Sequence, residues 1–146
     1  MTPTVIDRFM GEYRFLSNFH PAVVSFEGQV YPTVENAYQA AKTANRDERA
    51  KIALASPGEA KRMGRRCVLR PGWAAIRLAV MEDLVRKKFE NSAALQNRLC
   101  ATGAATLIEG NDWGDTFWGV YRGHGENHLG KILMQVRREL FEAHRA

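Results

Sequence analysis

Between Tyr31 and Lys42 the chain reads YPTVENAYQAAK. Within it stand a carboxylate, a phenol, an amide and an amine, at Glu35, Tyr38, Gln39 and Lys42. At 3.6 residues per turn these four side chains fall in a wedge of about 100°. Ala37, Ala40, Ala41 and Ala44 fall on the opposite side, small enough for another element to approach closely. Pro32 and Thr33 mark the start of the helix, with Thr33 as N-cap. Glu35 then sits in the first turn, where the helix dipole favours an ionised carboxylate. Such a carboxylate suits a base, a nucleophile or a stabiliser of positive charge. The plainer alternative is a glutamate that only complements the dipole and a lysine that only faces solvent. Lys42 lies about 10.5 Å along the axis from Glu35 on nearly the same face. Both side chains lean toward the helix N-terminus and lysine is the longer, so one ligand can touch both.

Three other stretches carry residues suited to binding. Arg14-Phe15-Leu16-Ser17-Asn18-Phe19 places two aromatics around a Ser-Asn pair. That is either a buried turn or a lip on which a flat base stacks while the polar side chains read its edge. Lys61, Arg62, Arg65 and Arg66 form a basic cluster, either a solvated helix end or a phosphate contact. From Gly110 to Gly130 the chain reads GNDWGDTFWGVYRGHGENHLG. Six glycines in so short a stretch mark backbone in unusual conformations or close to a ligand. Asp112 and Asp115 there suit turn caps. Gly125 between His124 and His128 argues against a helical metal pair, and no convincing metal-ligand set occurs elsewhere, so neither metal nor cofactor is expected.

The elements that must position these groups follow from periodicity and caps. Thr4 to Phe9 suits a short strand. Ala22 to Phe26 and Gln29 to Tyr31 flank Glu27-Gly28 as a hairpin, with glycine supplying a positive φ. Arg46 to Ala55 reads as a second helix. Ser56-Pro57-Gly58-Glu59 reads as a capping box opening a third, which Gly64 would end. Trp73, Ile76, Val80, Leu84, Val85 and Phe89 recur at helical spacing. Ser92 caps a helix carrying Leu95 and Leu99 that ends near Thr102-Gly103. Thr106 to Ile108 suits another strand. A last helix from about Leu129 has Leu129, Ile132, Leu133, Val136, Leu140 and Phe141 as its apolar face, with Lys131, Arg137 and Arg138 off it. The predicted fold is α+β: one compact domain over residues 1–146, mainly helical, with about six helices and a few short strands.

At 146 residues, 45% hydrophobic and 25% charged, the chain can bury a core without staples. No stretch is long and apolar enough for a membrane span, and Asp7 and Arg8 interrupt any leader-like hydrophobic region. Cys67 and Cys100 make no metal spacing and no disulfide framework, so a cytoplasmic protein with free thiols is expected. The formal charge of +5 favours anionic partners such as phosphates, nucleotides or nucleic acid. The phosphate loop GxxxxGK[ST], the dinucleotide GxGxxG and the GxSxG elbow are all absent.

Taken together, FLSNF (15–19), PTVENAYQAAK (32–42), MGRR (63–66), PGWAAIRLAVM (71–81), KFENSAALQNRLCATGAATLIE (88–109), DTFWG (115–119) and GENHLGKILMQVRREL (125–140) resemble the NADAR, or YbiA-like, family. The resemblance covers nearly the whole chain in order. It implies a compact α+β domain acting as an N-glycosidase. Its implied substrates are ADP-ribose attached to guanine, free or in nucleic acid, or ribosylamino-pyrimidine phosphates of the early riboflavin pathway. By motif, Glu35, Trp73 and Asp115 match the family's active-site positions, and Lys42 its lysine two turns after the glutamate. Trp118 and Gly119 lie in the matching DTFWG, and the resemblance makes them expected substrate contacts. After FWG this chain reads VYRGHGEN, where family members often carry a shorter glycine-rich turn.

An N-glycosidase must stabilise positive charge at the anomeric carbon, activate a nucleophile and help the base depart. Glu35 and Asp115 are the candidate carboxylates, far apart in sequence. Trp73 suits stacking on the base or the sugar face. Lys42 opens a second route, in which a neutral amine attacks the anomeric carbon and opens the sugar to a Schiff base. Both routes stand on the sequence. Arg14, Phe15, Ser17, Asn18, Phe19, Tyr38, Gln39 and Asn127 are the expected substrate contacts, with Arg65 and Arg66 for phosphate. The rival class is a non-catalytic module that only binds ADP-ribose or nucleotides, which has little reason to hold a pair of carboxylates.

Overall fold

The hairpin turn at Glu27-Gly28 shows how local chemistry and long-range pairing combine in this chain. Both residues have positive φ, 45° and 83°, the pattern of a two-residue turn whose twist matches its strands. Only the glycine is conformationally free to do so. Glu27 is held there by ion pairs to Arg49 and Arg70, at 2.9 and 2.8 Å.

The structure, a computed structural model, describes residues 3–145. In chain order its elements are β1 (Val5–Ile6), a 3-10 turn at Gly11–Leu16, β2 (Val24–Phe26), β3 (Gln29–Tyr31), α1 (Val34–Ala41), α2 (Arg46–Leu54), α3 (Pro57–Arg66), α4 (Trp73–Glu90), α5 (Ala93–Ala101), β4 (Thr106–Leu107) and α6 (His128–Arg145). The chain is therefore α+β and mainly helical, with six α-helices and four short strands among the described residues, as the sequence predicts. The described residues fall into two compact units, one from Asn18 to Asn91, the other made of residues up to Ser17 and from Ser92 onward.

In the Asn18–Asn91 unit, β2 and β3 pair antiparallel, Val24 with Tyr31 and Phe26 with Gln29. Val24, Phe26 and Tyr31 turn inward and are buried, while Ser25 and Val30 face out. Thr33 caps α1, its Oγ1 accepting from the Asn36 N–H at 3.0 Å. Asn36 Nδ2 donates to the carbonyls of Ile52 and Ala55, tying α1 to the end of α2. Asn45 and Ser56 cap α2 and α3 through the Glu48 and Glu59 N–H groups. α2, α3, α4 and the hairpin all pack on α1. Every residue of α1 is consequently buried, where a one-sided helix would expose its polar face. On α4, Trp73, Val80, Met81, Leu84, Val85 and Phe89 are buried and Ile76 is half-buried. One expectation fails here: Gly64 does not end α3, which continues to Arg66. Gly64 is buried inside the helix, where its missing Cβ admits a side chain of α1.

In the other unit, β1 pairs parallel with β4, Val5 with Thr106 and Ile6 with Leu107. The strand is thus much shorter than Thr4 to Phe9. Phe15 and Leu16 are buried in the 3-10 turn, with the Arg98 guanidinium 4.2 Å from the Phe15 ring centroid. Ser92 Oγ caps α5, accepting from the Leu95 N–H. On α6, Leu129, Leu133 and Val136 are buried, whereas Phe141 is exposed. Arg137 is not off the buried face: it lies buried in it, its guanidinium donating to Thr102 Oγ1 and the Ala105 carbonyl, both at 2.8 Å. Those two acceptors satisfy a charge that periodicity alone places in solvent. Among the described residues no helix is long and apolar enough to cross a membrane.

Candidate active site

Three members of the α1 row, Glu35, Tyr38 and Gln39, are buried, and Lys42, just past the helix, is half-buried. Glu35 is 7% exposed and Gln39 4%. Gln39 Nε2 donates to Glu35 Oε1 at 2.9 Å, one helical turn apart. The Glu35 N–H, an orphan donor of the first turn, reaches the Asn18 carbonyl at 3.1 Å. Asn18 thereby fixes the start of α1 through its backbone. Its side chain is buried and lies 3.5 Å from the Met81 sulfur.

One turn on, the Tyr38 ring lies 5.4 Å from the Trp73 ring, tilted by 54°. The Lys42 ammonium sits 5.5 Å from the centroid of the same Tyr38 ring. Lys42 follows α1 directly as its C-cap, and its carbonyl accepts from the Arg70 N–H at 2.6 Å. Burial pushes the Lys42 amine below the ordinary lysine range. The charge of Glu35, and that of Cys67 in its thiolate form, act against that shift, while those of Arg65 and Lys61 add to it. A neutral amine is the form that attacks carbon. Cys67 is a neighbour that periodicity did not single out. Its Sγ donates to the Gly64 carbonyl at 3.2 Å, and burial pushes the thiol above the ordinary cysteine range. It stands just past α3, the basic helix, and only packing brings it to Lys42. Arg65 and Arg66 are both exposed in the last turn of α3.

In the other unit, Asn111, Asp115 and Asn127 of the Gly110–Gly130 loop bind backbone groups. Asp115 Oδ1 accepts from the N–H groups of Phe117 and Trp118, at 3.1 and 2.9 Å. The Asn111 side chain accepts from the Asp115 N–H and donates to its carbonyl. Asn127, at φ 53°, donates from Nδ2 to the Leu107 carbonyl and accepts on Oδ1 from the Glu109 N–H. A Cβ on Gly119 would stand 2.1 Å from the Glu109 carbonyl oxygen, so this glycine serves close chain approach. The Trp118 ring meets Phe117 edge-on, with centroids 4.8 Å apart. Near the chain start, the Ser17 N–H closes the 3-10 turn on the Arg14 carbonyl, and the Arg14 side chain is exposed. Phe15 lies beneath Arg98, while Phe19, in the Asn18–Asn91 unit, is half-buried.

The structure thus brings together Glu35, Tyr38, Gln39, Lys42 and Trp73, with the Asn18 carbonyl at their helix start. Asp115, Trp118, Gly119 and Asn127 gather in the loop of the other unit. Among the described residues no group of three His, Cys, Asp or Glu side chains could hold a metal ion.

Known proteins share this arrangement of sequence and fold. The chain is 36% identical over 146 residues to the N-glycosidase YbiA of Escherichia coli, an alignment covering 96% of this chain and 91% of that protein. It is 39% identical over 132 residues to a riboflavin biosynthesis protein of Vibrio vulnificus. That match takes in 88% of this chain but only 36% of the Vibrio protein's length. The solution structure of E. coli YbiA superposes with a TM-score of 0.85 at 35% identity, covering 98% of this chain and 88% of that one. With the NADAR domain matched over residues 8–141, the chain belongs to the NADAR family.

Proposed function

We propose that this protein is an N-glycosidase that cleaves the bond between the anomeric carbon of a phosphorylated ribose and a base. The class of the reaction rests on family membership and on relatives whose names state that activity. The observation that carries the chemistry is the buried α1 row: a hydrogen-bonded carboxylate and an amine depressed by burial, flanked by paired aromatic rings. In this reading Glu35 stabilises the positive charge that grows at the anomeric carbon. Trp73 and Tyr38 offer ring faces to the base or sugar. Neutral Lys42 Nζ attacks the anomeric carbon as the bond to the base breaks. The bonding pair leaves with the base, which takes up a proton. Loss of a proton from nitrogen and opening of the sugar ring give a Schiff base, which water hydrolyses to free sugar and amine. The second route, water directed by carboxylates with Lys42 as an anchor, needs no shift at Lys42. The place of Lys42 against the Tyr38 ring, two turns beyond Glu35, favours the first. Asp115, which the DTFWG motif suggests as a second carboxylate, has its Oδ1 committed to two loop N–H groups, and no step of this reading requires it.

The substrates that fit are ADP-ribose on guanine, as nucleotide or in nucleic acid, and ribosylamino-pyrimidine phosphates; the last accord with the riboflavin biosynthesis name of the Vibrio relative. Exposed Arg65 and Arg66 suit the phosphates. A reducing, cytoplasmic setting suits the free thiols Cys67 and Cys100. Incubation with ADP-ribosylated guanosine, ADP-ribosylated DNA and a ribosylamino-pyrimidine phosphate, with mass spectrometry of released base and sugar, tests the proposal. We expect release from at least one. Binding without release from any would favour the non-catalytic module.

A further inference from the structure

Gln39 is an unusual amide. Its Nε2 donates to Glu35, yet its Oε1 is buried with no hydrogen-bond partner. A buried amide oxygen without a partner is costly, so something must hold it there. The cause is on α3. A Cβ built on Gly64 would stand 1.7 Å from Gln39 Oε1 and 2.7 Å from its Cδ. The C–H bond that occupies this direction in glycine points at the oxygen and makes at most a weak C–H···O contact. Nothing larger than hydrogen fits. Glycine in a helix interior otherwise costs about 1 kcal/mol relative to alanine. The amide is therefore fixed in one orientation, oxygen toward the α3 backbone and NH2 toward the carboxylate. A flipped amide would set its oxygen against the Glu35 carboxylate, acceptor against acceptor.

We propose that Gln39 is a positioning residue for Glu35, and that Gly64 makes this possible by letting the α3 backbone wedge the amide so that its donor faces the carboxylate. Gln39 then acts through Glu35 and need not touch the substrate. Its donor stabilises the charged form of Glu35 and holds one rotamer. This rests on reading Glu35 as the reacting carboxylate, and the test separates the two.

The test is a carbon-13 titration of the Glu35 carboxyl group in ligand-free protein, its signal identified by its loss in Glu35→Gln. Three variants are compared with the wild type: Gln39→Leu, which keeps bulk and removes the donor; Gly64→Ala; and the double variant Gln39→Ala/Gly64→Ala. The Glu35 midpoint should move to higher pH in all three. The double variant should melt above Gly64→Ala, since alanine at 39 vacates the space that the new methyl needs. In Gln39→Leu the acid limb of the pH–rate profile should move with the midpoint. There kcat should fall about tenfold with KM nearly unchanged, the scale of one hydrogen bond to a charged group. An unmoved midpoint in Gln39→Leu overturns the proposal, even where Gly64→Ala does not fold. So does an unmoved midpoint in folded Gly64→Ala. A moved midpoint with an unmoved pH–rate profile upholds the positioning of Glu35 and refutes its place in the reaction.

Discussion

In α1 the Glu35 carboxylate takes a hydrogen bond from a side chain, Gln39; in the Gly110–Gly130 loop Asp115 Oδ1 takes two from the backbone. The contrast extends to the amides. Asn127 and Asn111 bind main-chain groups at both ends, while Gln39 holds another side chain and leaves its oxygen without a partner. A loop without regular ladders must satisfy its N–H and C=O groups somehow, and its polar side chains do so. A helix satisfies its own backbone, so polar side chains on it remain for other work. Similar residue types thus serve structure in one region and are available to chemistry in the other.

That contrast can be broken by substitution, beginning where the largest change is expected. Glu35→Gln keeps size and removes charge; turnover should fall by at least about 100-fold, the scale of losing a positioned acid or base. Its melting temperature should stay close to wild type, and near-normal turnover would place Glu35 with the structural carboxylates. Trp73→Ala should cost about 3–5 kcal/mol, because the ring is buried. The surviving folded protein should also bind substrate more weakly, and unchanged affinity would remove Trp73 from the site. Asn127→Ala should cost roughly 3 kcal/mol by leaving two main-chain groups unpartnered, read by denaturant unfolding. A fully stable Asn127→Ala protein would undo the structural account of the loop.

The smallest effect concerns a second amine that burial lowers, Lys88, which is fully buried. Burial alone lowers Lys88 to about 7. Between that value and the ordinary lysine range near 10.5, the unfolded chain binds the proton and the folded chain does not. Stability therefore rises with pH across this window, by about 1.4 kcal/mol per unit. Lys88→Met should abolish that rise relative to wild type, measured by unfolding at pH 7 and 9. An identical slope in the variant would show that Lys88 keeps its proton in the folded state. Lys88 is buried and Lys42 half-buried; Lys42 alone follows a carboxylate by two turns on the same row.

Much of the local architecture was legible because its causes are local. Thr33, Ser56 and Ser92 cap helices through their own hydroxyls, and Asp115 caps a turn, as residue type and spacing suggest. What escaped depends on neighbours distant in sequence. Gly64 looks like a helix end until Gln39 is seen against it. Arg137 looks solvated until Thr102 and the Ala105 carbonyl meet it. Glu27 takes a positive φ with two arginines holding it. The α1 row was visible as a pattern of side chains. Its burial, which depresses Lys42 and locks Gln39, comes from α2, α3, α4 and the hairpin packing on one short helix.

The reactive amine is the centre of this account, and trapping tests it directly. Borohydride added during turnover should reduce a Lys42 Schiff base to a stable bond, so that intact-protein mass increases by the sugar and peptide mapping finds the addition on Lys42. Lys42→Arg should show neither the adduct nor turnover, because guanidinium keeps its proton and is a poor nucleophile. No adduct on the wild type, together with an active Lys42→Arg enzyme, would contradict the account and leave water as the nucleophile.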